Sequence, residues 1–134
     1  MKAIAIDRVV AIGKFLVRAE TITIDEEGFE FVWSVSPVPT RPEPVMDPDS
    51  GRVRIEQFFT PLSIWWAIVD NDGRHYIEGG GSAGGDRDRW RSHTRYMPVP
   101  PPVTKELVLT LNEIVPREGV GGVELETIRV PLGP

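Results

Sequence analysis

The sequence predicts an antiparallel all-β domain, a sandwich of two sheets or, as the second choice, a barrel, and three observations carry that prediction. Phe29, Phe31, Trp33 and Val35 recur at every second position, with Glu30 and Ser34 between them. This is the period of a strand with one buried face. The chain holds 13 glycines and 13 prolines in 134 residues, which favours many turns and short strands over long helices. No segment sustains a helical apolar period. A chain of this length is about one domain, so residues 1–134 are read as a single unit.

Ala3 to Ile12 is apolar and β-branched, broken at Asp7 and Arg8, and reads as one opening strand or two short ones with Gly13 at the turn. Phe15, Val17 and Ala19 share one parity, whereas Ile22 and Ile24 share the other. A switch of parity inside one strand signals a β-bulge or a crossing between sheets. Asp25-Glu26-Glu27-Gly28 is a tight turn with Gly28 in the positive-φ position. It feeds Phe29 to Val35, the expected central strand, whose aromatic face can bury on the order of several hundred Å2.

Five prolines lie between Pro37 and Pro48. Residues 36–52 are therefore expected to form a long, partly extended loop. Val53 to Phe59 reads as a short strand with Ile55 and Phe58 or Phe59 turned inward. Leu62 to Val69 is a second strongly apolar run. Its adjacent Trp65 and Trp66 must face opposite sides of a strand, which puts one in the core. Asp70-Asn71-Asp72-Gly73 closes a hairpin, and Arg74 to Ile77 returns.

Residues 78–88, EGGGSAGGDRD, carry little to pack and are expected as a mobile loop. Trp90 to Val99 sets Arg91, His93 and Arg95 against Trp90, Ser92, Thr94 and Tyr96. Beyond the stiff connector Pro98 to Pro102, Leu107, Leu109 and Leu111 share one strand face. Gly119, Gly121 and Gly122 turn the chain. Val123 and Leu125 then alternate with glutamates, and parity changes again to Ile128, Val130 and Leu132. The total is roughly seven to nine short strands, and an Ig-like sandwich is the closest single architecture.

Composition excludes several chemistries. With 0 cysteines there is no disulfide framework, Cys-based zinc site or thiol nucleophile. The net charge of -5 argues against non-specific nucleic-acid binding. Charges interrupt the N-terminal stretch before a signal-peptide core can form, and no apolar run approaches the roughly 20 residues that cross a bilayer. A soluble chain without a membrane span is expected, with the cytoplasm favoured.

His75 and His93 would need a carboxylate to hold zinc and are read as surface or edge-strand residues. The Asp70-to-Gly73 turn fails as a calcium loop, because Ile68 and Gly79 fall where the end ligands belong. Gly79 to Gly85 lacks the Lys-Ser/Thr of a phosphate loop. No serine sits in a nucleophile-elbow context, and no carboxylate pair is isolated. No catalytic residue, metal or cofactor is expected, and a hydrolase is the least favoured reading.

Val69 to Arg74 with Tyr76, then Gly79 to Gly85, then Pro101-Pro102 leading to Leu107 and Leu109 resembles the Ig-like sandwich domains of unknown function of Gram-positive bacteria. These include the outer C-terminal domains of anti-sigma-factor-like membrane proteins. The resemblance spans about residues 9–132. It implies a non-enzymatic sensory, interaction or structural module and supplies no site residues. This chain departs from it in having neither a transmembrane helix nor an N-terminal Cys/His part.

The expected function is a non-catalytic interaction module that binds a protein partner or assembles with itself. The alternative is a carbohydrate-binding module that uses an exposed Trp. The expected contact residues are Arg89, Trp90, Arg91 and Tyr96, because Trp, Tyr and Arg dominate binding hot spots. Alternating arginines on an edge strand would also discourage edge-to-edge pairing.

Overall fold

The computed structural model describes residues 2–86, 88–114 and 122–133. Strands make up 70% of it and helix 0%, so the all-β class is as expected. Ten strands are described: β1 (Lys2–Ile12), β2 (Phe15–Ile24), β3 (Phe29–Ser36), β4 (Thr40–Met46), β5 (Val53–Phe59), β6 (Ile64–Asp70), β7 (His75–Gly85), β8 (Trp90–Met97), β9 (Glu106–Ile114) and β10 (Gly122–Pro131). No helix of the described residues is long and apolar enough to cross a membrane.

Eight strands form one antiparallel sheet in the order β1-β2-β3-β8-β7-β6-β9-β10, nearly barrel-shaped; β4 and β5 form a separate two-stranded ribbon. The large sheet has a weak joint. β6 and β7 pair only at Ile68↔Tyr76 and Val69↔His75. Five strands, β1-β2-β3-β8-β7, thus face three, β6-β9-β10, across the core and are hinged at that short hairpin. The outermost strands β1 and β10 approach each other at the opposite seam, where the Lys2 ammonium donates to the Leu132 carbonyl.

The aromatic run is β3, flanked on both sides by β2 and β8. Phe29, Phe31 and Val35 are fully buried among Val17, Ile22, Ile68, Leu107, Leu109, Leu111 and Ile128. Phe29 stacks on Tyr96 and meets Tyr76 edge-on, each at 5.4 Å between ring centroids. The two parity switches are register shifts, Ala19/Thr21 between β2 and β3 and Glu124/Glu126 between β10 and β9; further shifts that no parity switch signalled fall at Ala5/Arg8 between β1 and β2 and at Glu78/Gly80 between β7 and β8. Each bulge lets a strand keep an apolar face inward as the sheet curls.

Three turns are built by carboxylates. The Asp25 Oδ1 accepts from the Glu27 and Gly28 amides at 2.9 and 3.1 Å. Gly28 does not take the positive φ expected of it; its hydrogen side faces the Tyr96 carbonyl, with which a Cβ would collide. Asp86 accepts in the same manner from Asp88 and Arg89. Asp70 is buried and accepts from the Asp72 and Arg74 amides, the Arg74 guanidinium and the Tyr76 hydroxyl, all within 2.9–3.0 Å. Gly73 closes that hairpin at φ 80.

The two segments expected as loops are largely strand. Residues 40–46 pair with β5 through the whole of β4, from Thr40↔Phe59 to Met46↔Val53. The bonds Thr60 N–H to Pro39 O and Asp47 N–H to Arg52 O fix the hydrogen-bonded positions at odd-numbered residues of β4. Pro42 and Pro44 therefore turn their ring nitrogens to the outer edge, where no ladder bond is lost. β5 forms where expected, but Ile55, Phe58 and Phe59 are not turned into the core; they are exposed. Residues 79–85 are not a loop but the second half of β7, paired with β8 from Ile77↔Met97 to Gly85↔Trp90. Gly119, Gly121 and Arg87 lie outside the described residues.

Candidate functional site

β8 is an interior strand, bounded by β3 and β7, so its arginines do not guard an edge as the sequence reading allowed. They line the outer face of the sheet and pair with acids from the neighbouring strands. Arg91 chelates Glu20 through Nε and Nη2, each at 3.2 Å. His93 Nδ1 stands 3.4 Å from Glu30, and Arg95 pairs with Asp25 at 2.8 Å. The Arg95 guanidinium and the turn amides hold the Asp25 carboxyl down at about 2. Burial pushes the Glu20 carboxyl up, but hydrogen bonds from Ser34 and Arg91 outweigh it and the net shift is downward.

The four expected contact residues divide. Arg89 and Arg91 line a cleft of about 350 Å3 with Ser82, Gly84, Gly85, Asp86 and His93. Trp90 is half-buried on the opposite face, between Trp33 at 5.2 Å and Phe59 at 5.7 Å. Tyr96 is not a surface residue: it is 4% exposed and packed on Phe29, and its burial pushes its hydroxyl pKa up. Its parity puts it on the inner face with Ser92 and Thr94, a consequence of the alternation visible in the sequence.

The feature the sequence reading missed is the free edge of β7. Beyond Tyr76 this strand has β8 on one side and, among the described residues, no strand on the other. The bond from the Asp86 amide to the Arg89 carbonyl sets the phase of the β7–β8 ladder. Ser82 and Gly84 are bonded to β8, whereas Gly81, Ala83 and Gly85 turn N–H and C=O to the open side. A shallow hollow of about 220 Å3 follows this edge from Glu78 to Ala83, with Ser92 and Thr94 behind it.

Other edges carry devices that hinder pairing. β1 has a bulge with Asp7 at positive φ, β10 has a bulge and ends in Pro131, and β4 presents Pro42 and Pro44. β7 has its own bulge between Glu78 and Gly80, with Gly80 at positive φ, but beyond it residues 81–85 carry no charge, proline or bulky side chain. A second hollow, about 500 Å3, lies at the far rim between Lys2 and Lys105, but its Lys2 ammonium is already spent on Leu132.

The β4–β5 ribbon leaves from the Ser36 end of β3 and returns at the Ile64 end of β6, the same rim as Gly85 and Trp90. Phe59 stacks on Trp90, but among the described residues no Cα of the ribbon comes within 8 Å of one in the eight strands of the large sheet. No known protein family, curated protein or solved structure matches the chain.

Proposed function

We propose that this chain is a binding module that takes up an extended polypeptide segment by strand addition along the free edge of β7. The observation that carries the reading is the row of backbone groups at Gly81, Ala83 and Gly85, which lies beyond the strand's bulge and is unpaired among the described residues. Backbone hydrogen bonds would supply affinity, and pockets for alternate side chains would supply specificity. Arg89, in the cleft beside that edge, would select acidic side chains on the outward face of the incoming segment, while Arg91 and His93 are already faced by Glu20 and Glu30. A role in protein binding or self-association agrees with the non-enzymatic module that the family resemblance implies.

The test uses Ala83→Pro. Ala83 sits opposite Ser92 at a position not bonded to β8, so proline removes the outward N–H and leaves the β7–β8 ladder intact. Short random peptides displayed on phage are selected against the parent chain. Selected peptides should bind the A83P chain at least about tenfold more weakly, at an unchanged Tm. Peptides that bind both chains equally, or a failure to select any, would overturn the proposal.

Trp65 supports the carbohydrate alternative to a limited extent. It stands 43% exposed on the outer face of β6, while Trp66 and Trp90 each meet Trp33 edge-on. Quenching of its fluorescence by sugars, lost in Trp65→Ala, would favour that reading.

A further inference from the structure

We infer that the segment taken up by the β7 edge is the β4–β5 arm of a second copy of this chain. The inference rests on the strand-addition reading above and names its partner.

The arm has the wrong surface for a solvated hairpin. Pro42, Pro44, Met46, Val53, Ile55 and Phe59 share one face, with only Thr40 and Gln57 polar among them. Met46, Val53 and Ile55 are each at least 60% exposed. The opposite face carries the ion pairs Arg41–Glu43 and Arg54–Glu56, together with Val45 and Phe58. A two-stranded ribbon is marginal alone, and an amphipathic one is built to lie against something.

Its edges differ in the same sense. Prolines close the outer edge of β4. The outer edge of β5 is open, because Val53, Ile55, Gln57 and Phe59 turn N–H and C=O away from β4. Among the described residues the arm therefore offers a free donor edge and β7, beyond its bulge, a free acceptor edge. Among the described residues the backbone of the arm does not approach its own β7. Pairing between copies satisfies both edges.

Antiparallel addition of β5 to β7 brings three features into agreement. The apolar face of the arm continues the inner face of the sheet, beside Ala83, Trp90 and Trp33, while its ion pairs continue the outer row of Arg91 and His93. Val53 to Phe58 of β5 match the regular run of β7 from Gly80 to Gly85, beyond its bulge. The arm tip brings the exposed Asp49 to the turn that carries Arg89; the Asp47 carboxylate beside it already accepts from the Asp49 amide. Asp86 and Asp88 share that turn, but the Asp86 carboxylate is already committed to the amides of Asp88 and Arg89. A reciprocal exchange closes a two-fold dimer, and a one-way exchange builds a chain.

Two variants test this in one experiment. A83P blocks the acceptor edge and keeps the arm; Ile55→Pro blocks the donor edge and keeps the β4–β5 bonds, because Ile55 faces Pro44 at a non-bonded position. Light scattering after size exclusion is run at around 100 µM, where an interface of micromolar affinity is populated. The parent should be a dimer or larger, each variant alone a monomer, and an equimolar mixture should restore a 1:1 complex. A monomeric parent, a mixture that stays monomeric, or A83P dimerising on its own would overturn the inference. Should A83P lose the parent's Tm, Gly85→Pro acts at the next outward amide. A monomeric parent that still binds selected peptides leaves strand addition standing and removes only the second copy as its partner.

Discussion

Single carboxylates organise this fold by gathering more hydrogen bonds than their desolvation costs. Burial alone would push the Asp70 carboxyl up, yet two amides, a guanidinium and a phenol hold it below the usual range. Tyr76→Phe removes one donor from a buried anion and should lower unfolding stability by about 1–3 kcal/mol, read from urea melts. Asp25 is held at about 2 first by Arg95, then by the turn amides. A depressed folded pKa contributes stability above the unfolded value of 3.8, and that contribution is lost as pH falls through 3.8 toward 2. Arg95→Ala should shrink the drop in Tm across that window; an unchanged drop would show that the pair does not contribute.

At the level of elements, glycine and proline acted differently from the punctuation the sequence suggested. Gly79 to Gly85 looked like a loop because no side chain marks a buried face. In the structure, the missing side chains are what let β7 lie against β8: a Cβ on Gly81 would strike the His93 carbonyl. Gly81→Ala should therefore destabilise the protein, by about 1–3 kcal/mol. Gly84→Ala, with nothing within 4 Å of the added carbon, should leave the melting curve within about 0.5 kcal/mol. Pro42 and Pro44 likewise suggested a loop, but their even spacing puts both nitrogens on the outer edge of a ribbon. The central strand, the Asp70 hairpin, the opposed Trp65 and Trp66 and all the parity switches were legible, because each is a local period or turn signal. Which edge would be left free was not legible, since it depends on the divergence of β6 from β7 after two residue pairs. Tyr96 was misplaced for a different reason: aromatic type was weighed above the parity it shares with Ser92 and Thr94.

For the whole molecule, the sandwich and barrel expectations meet in one architecture. Five strands and three strands enclose a single core, joined by the β6–β7 hairpin on one side and brought together at Lys2 and Leu132 on the other. Splaying at β6–β7 leaves the free edge, and the arm is rooted at the rim beside it, where Phe59 rests on Trp90 and the Ser36 hydroxyl donates to the Asp88 carbonyl at 3.2 Å. The binding role proposed here depends on that edge being free in the isolated chain. Residue-resolved amide hydrogen exchange, on protein dilute enough to be monomeric, tests this directly. The amides of Gly81, Ala83 and Gly85 should exchange at nearly unprotected rates while those of Ser82 and Gly84 stay protected by β8. Equal protection of all five amides in the monomer would mean that the edge is already paired, and the account would fail.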